Sequence, residues 1–222
     1  MQDINAESVR FEKLDLHNYG VFFGSHNFMF ERQQTIIVGD HATGKTTIVN
    51  ALANLGPARG VKPNLEANPQ EMSVKVSTSG NPKFVEKYSN LIFLGSEAAV
   101  HLARNPETIL SKFPGAPVKD EVGAIFRALL KEKPHKVKAH QDLEPNLMAS
   151  SEVVCLGYAF VFAVRKVLNL DIPAVFDSPC GLLDPEGRNG FYSFLKQQPF
   201  QQIILCRASK LDENEGHYTL TG

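Results

Sequence analysis

The chain lacks most of the features that mark a protein class at sight. Three cysteines occur in 222 residues, and Cys155, Cys180 and Cys206 lie far apart in apolar or loop contexts, without the spacing of a metal site or a disulfide framework. That excludes a small cross-linked scaffold and predicts a reducing compartment with inert thiols. A dominant charge is missing too. With 23 basic and 24 acidic residues the net charge is −1, so no global field advertises nucleic acid, although a local patch of Lys and Arg is compatible with that total. No apolar run reaches the length of a bilayer span, and Met1 to Arg10 is too polar for a secretory signal. The expectation is a cytosolic protein with no membrane span. Repeats, heptad seams and low-complexity tracts are also absent. The hydrophobic content of 43% is enough for a substantial core, and one domain over residues 1–222 is expected.

Against these absences stands one run that fits a strict pattern. Gly39-Asp40-His41-Ala42-Thr43-Gly44-Lys45-Thr46, with Thr47 after it, follows the apolar stretch Thr35-Ile36-Ile37-Val38. Glycines at both ends let the backbone wrap an anion with its N–H groups pointing inward. Lys45 then reaches the outer phosphates, and Thr46 offers its hydroxyl to Mg²⁺. Ile48, Val49, Ala51, Leu52 and Leu55 continue at helical spacing, so the loop joins a buried strand to a helix N-terminus, as phosphate binding requires. The run predicts a nucleoside triphosphate site.

The remaining pattern alternates strands with helices. Residues 9–16 and then Phe28 and Phe30 read as a strand pair, Gly56 to Pro69 as a surface loop, Met72 to Val76 as a strand and Asn90 to Leu94 as another. Helix starts are read at Ser96-Glu97, Asn105-Pro106-Glu107 and Pro117 to Glu121, giving a helical and loop insert over about 96–145. Lys131 to Lys138 is the most basic stretch, with His135 and His140 in or near it, and reads as a solvated face or hairpin, with a metal site as the lesser alternative. The run Val153 to Val164 is apolar on nearly every side and predicts a buried helix. Strands follow at Ala174–Asp177, Gln201–Cys206 and His217–Thr221, with a helix from Pro185 to about Gln197. This is an α/β fold of the phosphate-loop NTPase type: a mostly parallel sheet with flanking helices, an antiparallel N-terminal β portion and the helical insert. An apolar strand ending in a carboxylate is what the metal of a Mg²⁺-nucleotide site needs, which selects Asp177 as its ligand beside Thr46.

The order of these segments resembles a known family. Met148-Ala149-Ser150-Ser151-Glu152, a long apolar helix, and then Asp177-Ser178-Pro179-Cys180-Gly181-Leu182-Leu183-Asp184 look like an ABC-type ATPase head of the SMC and RecN kind, near the repair ATPases that partner the Mre nuclease. Phe11 to Tyr19 is similar to the family's first strand and its Asn-Phe turn. The resemblance implies that Ser150, Ser151 and Glu152 form the signature segment that meets the γ-phosphate held by another protomer, and that Asp184 ends the D-loop. It also implies ATP and Mg²⁺ as ligands, a homodimer closed by ATP, and DNA or a nuclease as partner.

Several positions depart from the family pattern. Ala149 stands where the family has Ser and Ser151 where it has Gly, so Ser150 or Ser151 supplies the hydroxyl. Ser178 replaces the Glu that polarises the attacking water. Hydrolysis is therefore expected to be slow unless Glu186, Glu97 or Glu152 substitutes, because a serine does not accept a proton at neutral pH. Arg207 takes the place of the switch His and suits a phosphate. Prolines and the lack of heptads between Leu55 and Met148 predict a head without coiled-coil arms, and the absence of a Gly/Ser linker there favours a naturally armless chain over one whose arms were removed. Competing readings are the ATPase subunit of a membrane transporter, a small-molecule kinase and a nucleotide sensor with little turnover.

Overall fold

The computed structural model describes residues 8–30, 32–106, 111, 118–129, 148–207 and 218–221. They group into two compact units. The first takes residues 1–93, 171–178 and 200–222, and the second residues 94–170 and 179–199.

The first unit contains an antiparallel sheet of β1 (Val9–His17), β2 (Ser25–Met29) and β4 (Ser73–Gly80), in the order β2-β1-β4. The alternation along β1 buries Val9, Phe11, Leu14 and Leu16 on one face, the pattern of a sheet covered on one side. The register slips between Phe11 and Lys13. There Gln201 takes over as the backbone's partner: its Oε1 accepts from Phe11 N at 2.9 Å, and its Nε2 donates to Phe11 O at 2.7 Å and Phe30 O at 2.8 Å. A buried amide side chain thus satisfies backbone groups beside the bulge and just past the end of β2.

A parallel sheet follows, ordered β5 (Phe93–Gly95), β6 (Ala174–Asp177), β7 (Gln202–Cys206), β3 (Gln34–Gly39) and β8 (Tyr218–Leu220). Ile36, Ile37, Val175, Phe176, Ile203, Ile204 and Leu205 are almost wholly buried. Continuous apolar strands of this kind belong to a sheet covered on both faces. Register brings Val38 beside Cys206, and Asp177 beside Leu205. The carboxyl ends of β3, β6 and β7 therefore lie side by side, where ligands of parallel α/β sheets bind. Helix α1 (Lys45–Asn54) leaves from the end of β3 through the loop, burying Ile48, Ala51 and Leu52, and stops at Leu55 with φ 50°.

One expected strand is corrected in part. Residues 90–92 of the run read as a strand from Asn90 to Leu94 belong to the short helix α3 (Ser89–Ile92), after α2 (Lys83–Lys87), and only Phe93–Gly95 is extended. Leu91 and Ile92 both return their N–H groups to Tyr88 O. A short apolar run is buried equally well in either conformation, so periodicity alone does not separate them.

The second unit is helical: α4 (Ser96–Arg104), α5 (Val118–Leu129), α6 (Ser150–Val167) and α7 (Pro185–Leu195). Helix α6 is buried from Val153 to Ala159 and again from Val161 to Arg165. Its Gly157 lies so close to α4 that a Cβ there would sit 1.9 Å from Ala99 O. Gly190 of α7 meets Leu129 O in the same way, at 2.3 Å. Tyr158 and Phe191 pack with ring centroids 4.8 Å apart, and Phe162 and Phe194 at 5.2 Å. The expected helix starts at Ser96 and near Val118 are found, whereas the basic stretch Lys131–Lys138 and His140 lie outside the described residues.

Candidate nucleotide site

The loop from Gly39 to Gly44 is shaped by its small residues. A Cβ on Gly39 would fall 2.3 Å from Thr43 Oγ1, and one on Gly44, at φ 96°, would fall 2.6 Å from the Phe22 ring. Ala42 also adopts a left-handed conformation, at φ 61°. Thr43 Oγ1 donates to Asp40 O at 3.0 Å and closes the turn. Gly44 is the N-cap of α1, and no acidic side chain occupies the first turn of that helix. Its N–H groups and the positive end of its dipole are thus directed at the loop.

Lys45 folds its ammonium back on the loop, donating to Gly39 O at 2.6 Å and to Asp40 O. Burial pushes Lys45 below the usual lysine range and the positive charge of Arg207 adds to this, while Asp177 and Asp40 oppose it. Thr46 Oγ1 donates to Asp177 Oδ2 at 3.3 Å, and Ser178 Oγ donates to Asp177 Oδ1 at 3.2 Å. A hydroxyl and a carboxylate side by side form the hard oxygen donor set that Mg²⁺ takes when phosphate oxygens and waters fill its other positions. The residues present therefore fit a Mg²⁺-nucleotide. Thr47, half-buried, faces Gly20 of the turn after β1.

Ser178 holds φ 52°, a conformation costly for a residue with a side chain, roughly 1–3 kcal/mol, and its N–H donates to Leu205 O at 2.8 Å. Its hydroxyl is turned to the carboxylate of Asp177 and so orients that side chain. Arg207, directly after β7, places Nη2 2.8 Å from His41 Nδ1.

Ser150, Ser151, Glu152 and Asp184 belong to the second unit. Glu152 Oε2 accepts from Ala149 N at 2.9 Å, at the start of α6. Asp184 is the N-cap of α7, its Oδ1 accepting from Gly187 N at 2.7 Å, with Pro185 in the first turn. Ser151 Oγ lies 3.4 Å from Asp184 Oδ2, so the two segments named by the resemblance meet through those side chains. Ser150 is exposed. Just upstream of Asp184, Pro179 O accepts from both Ser96 Oγ, at 2.8 Å, and Tyr158 OH, at 3.3 Å.

A family model described as the P-loop containing region of an AAA domain matches residues 11–69. The SMC head domain from Thermotoga maritima superposes with a TM-score of 0.59 at 16% identity, covering 91% of this chain and 92% of that one. The chain has the fold of an SMC head. A second such head, solved bound to the C-winged helix domain of ScpA, gives 0.57 at 15% identity over 88% and 89% of the two chains. The fold is shared more widely by ABC ATPases. CbiO1 from Clostridium perfringens, part of the ABC transporter complex cbiONQ, reaches 0.53 at 15% identity, covering 91% of this chain and 79% of its own. No curated protein sequence matches the chain.

The contacts that sequence reasoning did not foresee in this chain are those between distant residues: His41 with Arg207, Phe22 against Gly44, and Gln201 beside the bulge of β1. Each depends on strand order, which no local pattern encodes. The one local sign was a glutamine entering an apolar strand.

Proposed function

We propose that this chain is an ATP-binding, Mg²⁺-dependent ATPase head that dimerises head to head on ATP and hydrolyses it slowly. The observation that carries the reading is the convergence of Lys45, Thr46, Asp177 and Arg207 at the carboxyl ends of three adjacent parallel strands. In this reading residues 39–47 cradle the phosphates, Lys45 and Arg207 balance their charge, and Thr46 and Asp177 hold the metal. Ser178 in the place of a carboxylate makes turnover slow, because the attacking water has no base beside Asp177. The N-terminus of α6, with Ser150, Ser151 and Glu152, closes over the γ-phosphate of a second protomer, and Asp184 lines the same junction. ATP then acts as the contact between two copies of one head domain in the cytoplasm. DNA or a nuclease is the partner that such a dimer would move.

Sizing with light scattering in Mg²⁺ and a slowly hydrolysed ATP analogue tests the reading. A doubling of mass that Lys45→Ala removes is the expected result, and an unchanged monomer overturns the dimer. Phosphate release above the Lys45→Ala background separates a slow ATPase from a nucleotide sensor. A second reading, the ATPase subunit of a membrane transporter, draws on the likeness to CbiO1. Among the described residues no helix is long and apolar enough to cross a membrane, so that reading requires a separate membrane protein. Co-purification with one decides for it.

A further inference from the structure

The contact between Arg207 and His41 has a chemical direction. A guanidinium carries N–H donors and no acceptor, so at 2.8 Å the imidazole Nδ1 must accept, with its lone pair free and the ring proton on Nε2. Arg207 thereby fixes the tautomer of His41, and His41 in return fixes the guanidinium. Backbone features stand next to both residues. His41 precedes Ala42, which is held at φ 61°, and Arg207 follows Cys206, which is in register with Val38 of the strand that feeds the loop. One N–H of Arg207 is used on His41, leaving other donors of the fork for a phosphate. The charge of Arg207 is felt at the Lys45 ammonium, so the guanidinium stands at the end of the loop where the outer phosphates go.

We propose that His41 is a positioning residue: it holds Arg207 toward the terminal phosphate, and the pair sets the preference of the site for a nucleoside triphosphate over a diphosphate. The proposal rests on the nucleotide-binding reading above and adds to it the group that tells ATP from ADP. A guanidinium anchored in advance loses less side-chain freedom on binding than one that must be ordered by the ligand. Only the triphosphate offers the phosphate that this guanidinium reaches, so the diphosphate complex is indifferent to it.

Calorimetric titration of the full chain with Mg²⁺-ADP and with a slowly hydrolysed Mg²⁺-ATP analogue tests this. Arg207→Ala is expected to weaken the triphosphate about 10-fold, the scale of one charge-assisted contact, and to change ADP by less than about 2-fold. His41→Ala should produce most of the same loss, and the double variant should be no weaker than Arg207→Ala, as for two residues acting as one unit. His41→Asn, whose amide oxygen accepts a hydrogen bond near the position of Nδ1, should recover the triphosphate preference. Affinity for ADP reports that the loop still folds in each variant. The proposal is overturned if His41→Ala leaves the ratio of triphosphate to diphosphate affinity unchanged, if the two losses add, or if Asn serves no better than Ala. Failure of the unaltered chain to bind either nucleotide overturns the nucleotide reading itself and the proposal with it.

Discussion

At the end of β3 the side chains of Lys45, Thr46, Asp177 and Arg207 bond to one another's surroundings: loop carbonyls, a neighbouring carboxylate, an imidazole. At the starts of α6 and α7, by contrast, the carboxylates of Glu152 and Asp184 are taken up by backbone amides of their own helix ends. In the first region no helix or turn needs a lysine, an aspartate and an arginine at those positions, and the proposed anion with its metal is what would account for them together. In the second, capping accounts for two of the acidic residues before any partner is considered. A match to a family motif therefore carries different weight in the two units. For the second, a role toward another protomer must appear as an effect beyond stability.

The comparison is sharpened most by Lys45→Ala, expected to weaken ATP about 100-fold, the upper range for one charged contact, with a small change in melting temperature. A calorimetric titration beside a thermal melt reads both. Gly157→Ala is the counterpart for the second unit. A Cβ 1.9 Å from Ala99 O forces α6 from α4, and a loss of about 3 kcal/mol is expected by denaturant titration, the upper range for overpacking. Next comes Gln201→Ala, which strips the partners from Phe11 N and two buried carbonyls. Leaving such groups unpaired costs about 2 kcal/mol, measurable by the same titration. Asp184→Ala removes an N-cap and should lower stability by about 1 kcal/mol. If nucleotide-driven dimerisation fails in this variant while monomer stability falls only by that amount, Asp184 has a second task and the contrast between the units narrows. The smallest effect is expected at Cys155. Burial pushes its thiol up to about 12, with the charge of Asp184 adding to this. The protonated form then dominates throughout the neutral and mildly alkaline range, and a thiol reagent at about pH 9 should leave Cys155 unlabelled in the native chain and label it after unfolding.

Much of this arrangement was legible in the residues. The phosphate loop declared itself because each of its residue types answers a separate physical need. The strand Ala174–Asp177 was readable from its end, since a lone carboxylate after an apolar run on a parallel sheet has few other uses. Helix α6 was readable because a run apolar on all sides and longer than a strand has only one buried conformation open to it. The run from Asn90 was ambiguous for the opposite reason: it is short, and Leu91 and Ile92 bury themselves as a helical turn. The order of the family's motifs named Ser151 and Asp184 separately, but their pairing, and the capping by Glu152 and Asp184, needed the helix ends in place. The partnership of His41 and Arg207 joins residues 166 positions apart. It exists only because β7 lies next to β3, and strand order is a property of the whole sheet.

Gln201 and Arg207 flank the same strand. β7 has parallel neighbours on both sides, β3 and β6, and a strand so flanked neither bends nor slides without breaking two ladders at once. Its leading end is fastened through Gln201 to Phe11 of the outer sheet and to Phe30 just after β2, while its trailing end carries the guanidinium. Between the two both ladders are continuous, so β7 works as one short brace, and on the proposed reading it ties the outer sheet to the group that meets the last phosphate.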